Sequence, residues 1–192
     1  YTHEVMDGRR RAIDLRKYPR ARAYLEAHRD RLERRHYVSE AGREWYEIWV
    51  PQDPAAWIVP KIVFPDISPG PRFYLDVGGN LVDGDSYWIT PAPRAPSDAL
   101  YLLLGVANSK LMARFHDLAF NNRLYSGRRR YITQYVGKYP YPSPGTPAAR
   151  ELISLVRQAV RNCGSESGAS RVPMLEARID ALVEVCFGIA AA

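Results

Sequence analysis

Four short segments between Trp45 and Thr90 constrain the fold most. Trp45-Tyr46-Glu47-Ile48-Trp49-Val50, Lys61-Ile62-Val63-Phe64, Arg72-Phe73-Tyr74-Leu75 and Ser86-Tyr87-Trp88-Ile89-Thr90 are rich in aromatic and β-branched residues. Clusters of Pro, Gly and Asp separate them, so each reads as a short strand. Gly78-Gly79-Asn80 reads as a hairpin connection. Helical patterns flank this middle. Pro19 fits the first turn of a helix to about His36, with Ala21, Leu25, His28 and Leu32 on one face and Arg22/Glu26 and Arg29/Glu33 paired on the other. Ser97 caps a helix through about Ala107, and Ser109 a second through about Phe120. Residues 123–136 have no clear period and read as a loop leading into a strand. Thr146-Pro147 opens a helix to Asn162, and residues 163–171 form a flexible connector. A last helix runs from Pro173 to Phe187 and is closed by Gly188. Helix, then sheet, then helices predicts an α+β fold with a mixed, mostly antiparallel, short-stranded sheet, flanking helices and a C-terminal helical pair. The organisation expected is a main domain over residues 1–145 and a helical extension, 146–192, packing on it.

A chain of 192 residues hides roughly 70% of its unfolded surface, so a disordered state is excluded. The run from Ala99 to Ala107 has nine residues, well short of the ~20 that a membrane span needs. The start, Tyr1-Thr2-His3-Glu4, has neither an initiator Met nor a signal-peptide pattern; the expectation is part of a longer, cytoplasmic protein with no membrane partner. Cys163 and Cys186 fit two free thiols in a reducing compartment.

Charge is unevenly spread. Residues 1–36 carry net +5, residues 37–98 net −5, and residues 151–192 net −1. Residues 99–150 hold eight cations against Asp117 alone. Ordinary solvated faces mix both signs, so a stretch of this kind points to a polyanion, of which nucleic acid is the commonest. Catalytic signatures are missing. There is no GxxxxGK or GxGxxG loop, no GxSxG elbow and no HExxH, and the four histidines have no ligand spacing. Pro65-Asp66 could open a nuclease site, but no Asp-x-Lys or Glu-x-Lys follows, and it reads as a strand end. The chain is expected to bind, not to catalyse.

One ordered set of motifs carries a resemblance. Tyr18-Pro19, Tyr24-Leu25 and Leu32-Glu33-Arg34-Arg35 are followed by Trp45-Tyr46-Glu47, Pro60-Lys61-Ile62-Val63 and Phe73-Tyr74-Leu75-Asp76. Ala107-Asn108-Ser109-Lys110, Tyr139-Pro140-Tyr141-Pro142 and Arg178-Ile179-Asp180 complete the order. From about residue 16 to 188 the chain resembles the TaqI-like C-terminal specificity domain of N6-adenine DNA methyltransferases, including those fused to restriction endonucleases. The resemblance implies sequence-specific reading of double-stranded DNA. It also implies a separate N-terminal methyltransferase domain of the same polypeptide, which binds S-adenosylmethionine and carries an Asn-Pro-Pro-Tyr motif. No Asn-Pro-Pro occurs here, so no cofactor is expected in this chain.

Candidate DNA-binding residues follow from chemistry, because members of such a family differ at base-contacting positions. Lys61 opens a strand after Pro60 and can be aimed at a phosphate, or be a solvated strand-end lysine. Asn108, Ser109 and Lys110 lie at a helix start that favours a phosphate oxygen, though Asn108 and Ser109 equally serve as caps. Arg123, Tyr125, Arg128, Arg129, Arg130 and Tyr131 form the main candidate segment. Guanidiniums fork onto guanine edges or phosphates, tyrosines stack or wedge beside a flipped base, and Gly127 allows close approach. Trp45, Trp49 and Trp88 read as core rather than stacking platforms. Two rival functions remain open, a structured-RNA-binding module and a protein-interaction module using the helices after Thr146.

Overall fold

A computed structural model describes residues 1–49, 54–82, 84–163 and 166–189. The chain divides into two compact units, Tyr1–Pro54 and Ala55–Ala192.

The first unit opens with an antiparallel hairpin, β1 (His3–Met6) and β2 (Arg9–Ala12), in which Met6 pairs with Arg9. Its turn, Asp7-Gly8, has φ of 52° and 70°. Both residues are left-handed, the geometry that matches the twist of a two-residue hairpin. Three short helices then replace the single one expected: α1 (Pro19–Ala27), α2 (Arg29–Glu33) and α3 (His36–Glu40). His28 breaks the run at φ −114° and ψ 13°. Neither α1 nor α2 has a fully buried residue, so little packing holds a longer helix together. Arg29 still meets Glu33 at 2.8 Å, and Arg22 lies 3.9 Å from Glu26. Residues 45–49 are turns and not a strand. Arg35 donates to the Trp45 and Glu47 carbonyls at 2.6 and 3.0 Å, and Arg43 to those of Ile48 and Trp49. Carbonyls served by guanidiniums have no need of a ladder. Val50, the end of that expected strand, lies outside the described residues.

In the second unit, β3 (Lys61–Pro65) is followed by β4 (Ile67–Ser68), β5 (Tyr74–Asp76) and β6 (Ser86–Ile89). The sheet order is β5-β3-β6, all antiparallel, with Ile62 opposite both Leu75 and Ile89. Because β5 and β6 flank β3, Gly78-Gly79-Asn80 does not close a hairpin between paired strands. Gly78 serves a close approach instead: a Cβ there would sit 2.8 Å from the Ile58 carbonyl oxygen, and the Gly79 amide donates to the Trp57 carbonyl at 3.0 Å.

Helices α4 (Ala99–Asn108) and α5 (Lys110–Ala119) follow, then β7 (Arg129–Arg130) and α6 (Thr133–Val136). Next come α7 (Pro147–Asn162), α8 (Glu166–Ala169) and α9 (Val172–Cys186). Thr146 caps α7 by accepting from the Ala149 amide at 3.2 Å. Ser97 does not cap α4; Asp98 stands there, without a side-chain cap bond. One apolar core joins Ile62 and Phe64 of β3, Leu102 and Val106 of α4, Leu152 and Val156 of α7, and Val183 of α9. Gly105 permits the α4–α7 contact, since a Cβ there would meet Val156 Cγ2 at 2.7 Å. The fold class is α+β. Cys163 is exposed and Cys186 half-buried, both as free thiols. Among the described residues no helix is long and apolar enough to cross a membrane.

Candidate nucleic-acid interface

The end of α5 and the start of β7 are joined by a hairpin-like loop. Asn122 enters it with its side-chain amide donating to the His116 carbonyl at 2.8 Å, and its own carbonyl accepts from the Arg130 amide at 3.0 Å. Arg123 bridges Arg129, and the Leu124 amide donates to the Arg128 carbonyl at 2.8 Å. Ser126 and Gly127 turn the tip with φ of 58° and 68°. Only glycine adopts this region freely, so Ser126 is held there by the bonds on either side.

The six candidates on this loop divide into anchors and tip. Arg129 forks onto Asp117 at 2.6 and 2.7 Å and also donates to the Pro69 carbonyl. The Arg129 guanidinium, by this hydrogen bond, holds the Asp117 carboxyl below the usual carboxylate range. Arg130 forks onto Asp66 at 3.2 and 3.3 Å. β7 pairs with β4 at Ile67↔Arg130 and Ser68↔Arg129. Tyr131 is 1% exposed and stacks on His116 at 4.5 Å with 10° between the rings. Burial pushes its hydroxyl up to about 12. It cannot stack on a base. This corrects the stacking role expected of Tyr131, and it leaves Arg129 and Arg130 as anchors. Arg123 and Arg128 are exposed and have no ion-pair partner among the described residues, and Tyr125 is 80% exposed between them.

His116 fixes the loop from beneath. The Arg130 carbonyl can only accept, so His116 Nε2 carries the proton and donates at 3.0 Å, while Nδ1 accepts the Tyr139 hydroxyl at 3.0 Å. Burial lowers the imidazole's pKa, which favours the neutral ring of this arrangement.

Of the remaining candidates, Lys61, Asn108 and Ser109 are held by bonds within the unit, while the Lys110 side chain is 86% exposed. Lys61 is 0% exposed and points into the unit: its ammonium donates to Asp76 at 2.5 Å and to the Trp57 carbonyl at 2.7 Å. A buried, paired ammonium offers nothing to a phosphate, so this expectation is corrected. Asn108 clamps β5, accepting from the Phe73 amide at 3.0 Å and donating to its carbonyl at 2.9 Å. Ser109 caps α5 through the Met112 amide at 3.1 Å. Asp180 of α9 takes the anion's place at that helix start, accepting from the Lys110 amide at 2.9 Å and meeting its ammonium at 3.1 Å. Ser109 thus follows the capping alternative, whereas Asn108 holds β5 and makes no cap bond at the start of α5.

In the sequence Asp66 reads only as a strand end, and His116, Asp117 and Asn122 carry no assigned role. The signal for Asp117 was visible, because it is the lone acid among eight cations. Trp49 is exposed and Trp45 half-buried; each has a guanidinium over its ring, Arg43 at 4.7 Å and Arg29 at 4.9 Å. Trp88 is half-buried. Among the described residues no three His, Cys, Asp or Glu side chains gather as a metal site.

No family model matches the chain. It is 46% identical over 190 residues, 98% of its length, to the Type II methyltransferase M.BanIII of Aneurinibacillus aneurinilyticus, and covers 32% of that protein. It is 29% identical over 155 residues, 79% of its length, to the Type II methyltransferase M.PaeR7I of Pseudomonas aeruginosa, and covers 26% of that protein. The chain therefore spans a third or less of the curated relatives it matches, and it is similar to one part of each of these two Type II methyltransferases.

Proposed function

We propose that this chain is the DNA target-recognition part of an adenine-specific (N6) DNA methyltransferase in a restriction–modification or phage-defence system. In this reading residues 1–145 read the duplex, 146–192 support them, and a separate catalytic domain methylates the adenine. The observation that carries the reading is the loop of residues 122–131. The neighbouring acids Asp117 and Asp66 are taken by Arg129 and Arg130, while Arg123 and Arg128 have no ion-pair partner among the described residues and flank an exposed tyrosine. Similarity to part of each of two methyltransferases supports it.

In this reading S-adenosylmethionine is held by the separate domain. The cavity of about 430 Å³ among β5, α4, α7 and α9 is lined mainly by apolar side chains such as Leu75, Leu104, Val156, Val160 and Ile179, with Glu176 and Asp180 as its acids. Asp180 at its rim is already held by Lys110. The chain alone is expected to transfer no label from tritiated S-adenosylmethionine to DNA.

The reading is tested by binding to duplex DNA across a salt series. Neutralising about five phosphates gives a slope of log K against log salt of about −4.5, so affinity falls roughly 500-fold between 50 and 200 mM. A slope near zero would refute it in favour of a protein-interaction module.

A further inference from the structure

The first unit carries a second arginine-bearing hairpin. Residues 9–22 hold seven cations against Asp14 alone, a balance close to that of residues 99–150. All seven are exposed. Asp14 is committed to Arg16 at 2.9 Å, and Arg22 is drawn toward Glu26. Arg9, Arg11, Lys17 and Arg20 have no ion-pair partner among the described residues.

The base of this hairpin is pinned. His3, 8% exposed, meets the equally buried Glu47 at 2.7 Å. The Ile13 amide donates to the Thr2 carbonyl at 3.1 Å, and the Ile13 carbonyl accepts the Tyr46 hydroxyl at 2.7 Å. Beyond these bonds, β1 and β2 continue as a two-stranded ribbon to the Asp7-Gly8 turn. Strand alternation places Arg9 and Arg11 on one face, opposite Met6 and Glu4. Glu4 is the one acid on that face. Val5, Met6, Asp7 and Gly8, which form the end, offer no forked donor for a base edge. A ribbon of this shape enters a major groove, and cations along its side reach phosphates.

We infer that β2 and the segment following it form a second contact on double-stranded DNA, made to the phosphate backbone and separate from the tip at Arg123–Arg128. The inference rests on the DNA-recognition reading above. It is tested with a labelled random-sequence duplex titrated from 50 to 200 mM salt against four forms of the full chain. These are the unaltered protein, Arg9→Ala/Arg11→Ala/Lys17→Ala, Arg9→Lys/Arg11→Lys, and Arg123→Ala/Arg128→Ala. Losing three phosphate contacts makes the first variant's slope shallower by about 2.7, so its affinity loss across the range is about 40-fold smaller. Arg9→Lys/Arg11→Lys keeps the unaltered slope, since backbone contact needs only charge. An unaltered slope and affinity in the alanine triple variant, with weakened binding in the tip variant, overturns the second contact and leaves the reading intact. Absence of salt-dependent binding by the unaltered protein overturns both.

Discussion

Replacing Lys61 by Met separates a structural ion pair from a DNA contact. The side chains keep similar length, but the ammonium is lost from a site where Lys61 is 0% and Asp76 3% exposed. Burial pushes the Asp76 carboxyl up, and the Lys61 hydrogen bond together with the Gly78 amide and the Asn80 side chain brings it below its ordinary value. Without Lys61 only the last two remain, at 3.1 and 2.9 Å, and a carboxylate stands buried without its cation. Removing one partner of a buried pair costs about 3–5 kcal/mol. For a chain of this size that lowers the melting temperature by about 6–20 °C.

The pH dependence has a defined sign. In the unaltered protein the Asp76 contribution is present above the usual carboxylate pKa and is lost as pH falls through its depressed value. In Lys61→Met the carboxyl titrates higher, so protonating it relieves the penalty and the gap between the two proteins narrows from pH 7 toward pH 4. Lys61→Met/Asp76→Asn removes the uncompensated charge, keeps an acceptor, and recovers most of the loss. The assay is thermal unfolding followed by circular dichroism, with duplex binding measured below the transition. Native melting with weakened DNA binding would refute the argument and return Lys61 to the phosphate.

Gly105→Val places methyl groups against Val156 and Leu152 and destabilises by about 1–3 kcal/mol in urea unfolding; Gly105→Val/Val156→Ala restores part of it, and no rescue would mean the two helices do not meet there. His116 titrates below its ordinary value, so the unfolded chain takes up a proton first and stability falls as pH drops through about 6.5. His116→Phe is less stable at pH 7.5 and loses less on acidification to pH 5; an equal loss in both proteins would contradict the neutral, doubly bonded imidazole.

The second unit was legible because its signals are local. Thr146-Pro147 and Ser109 are caps whose oxygens accept the third amide onward, and the runs at Lys61 and Ser86 become β3 and β6 within a residue of the expected limits. The first unit was less legible. Trp45–Trp49 has strand-like composition, but the guanidiniums of Arg35, ten to twelve residues back, and of nearby Arg43 claim its carbonyls, which a strand pattern does not show. The hairpin at Asp7-Gly8 carries a local signal, an Asp-Gly pair, but the arginines beside it hide the strand pattern.

The candidate site shows the same division. Net charge located the basic segment, but whether a cation is free depends on acids far away in sequence. Asp66 lies 64 positions from Arg130, and Asp76 lies 15 from Lys61. Lys61 looked exposed because lysine at a strand start is usually solvated; only the sheet register puts it opposite Asp76. Tyr131 could not be told from Tyr125 by composition, yet one is the floor of the loop and the other its tip.

The most direct measurement compares Arg123→Ala/Arg128→Ala with the unaltered chain on a duplex the protein selects from a randomised pool and on a scrambled duplex, at fixed salt. Among the described residues the Arg123 and Arg128 side chains make no hydrogen bond or ion pair, so the melting temperature should not change. Affinity for the selected duplex should fall by about 2 kcal/mol or more, roughly 30-fold, from the loss of two arginine contacts. A larger loss on the selected than on the scrambled duplex assigns the tip to base reading, and an equal loss assigns it to the backbone. Unchanged affinity on both would contradict the claim that this loop meets DNA.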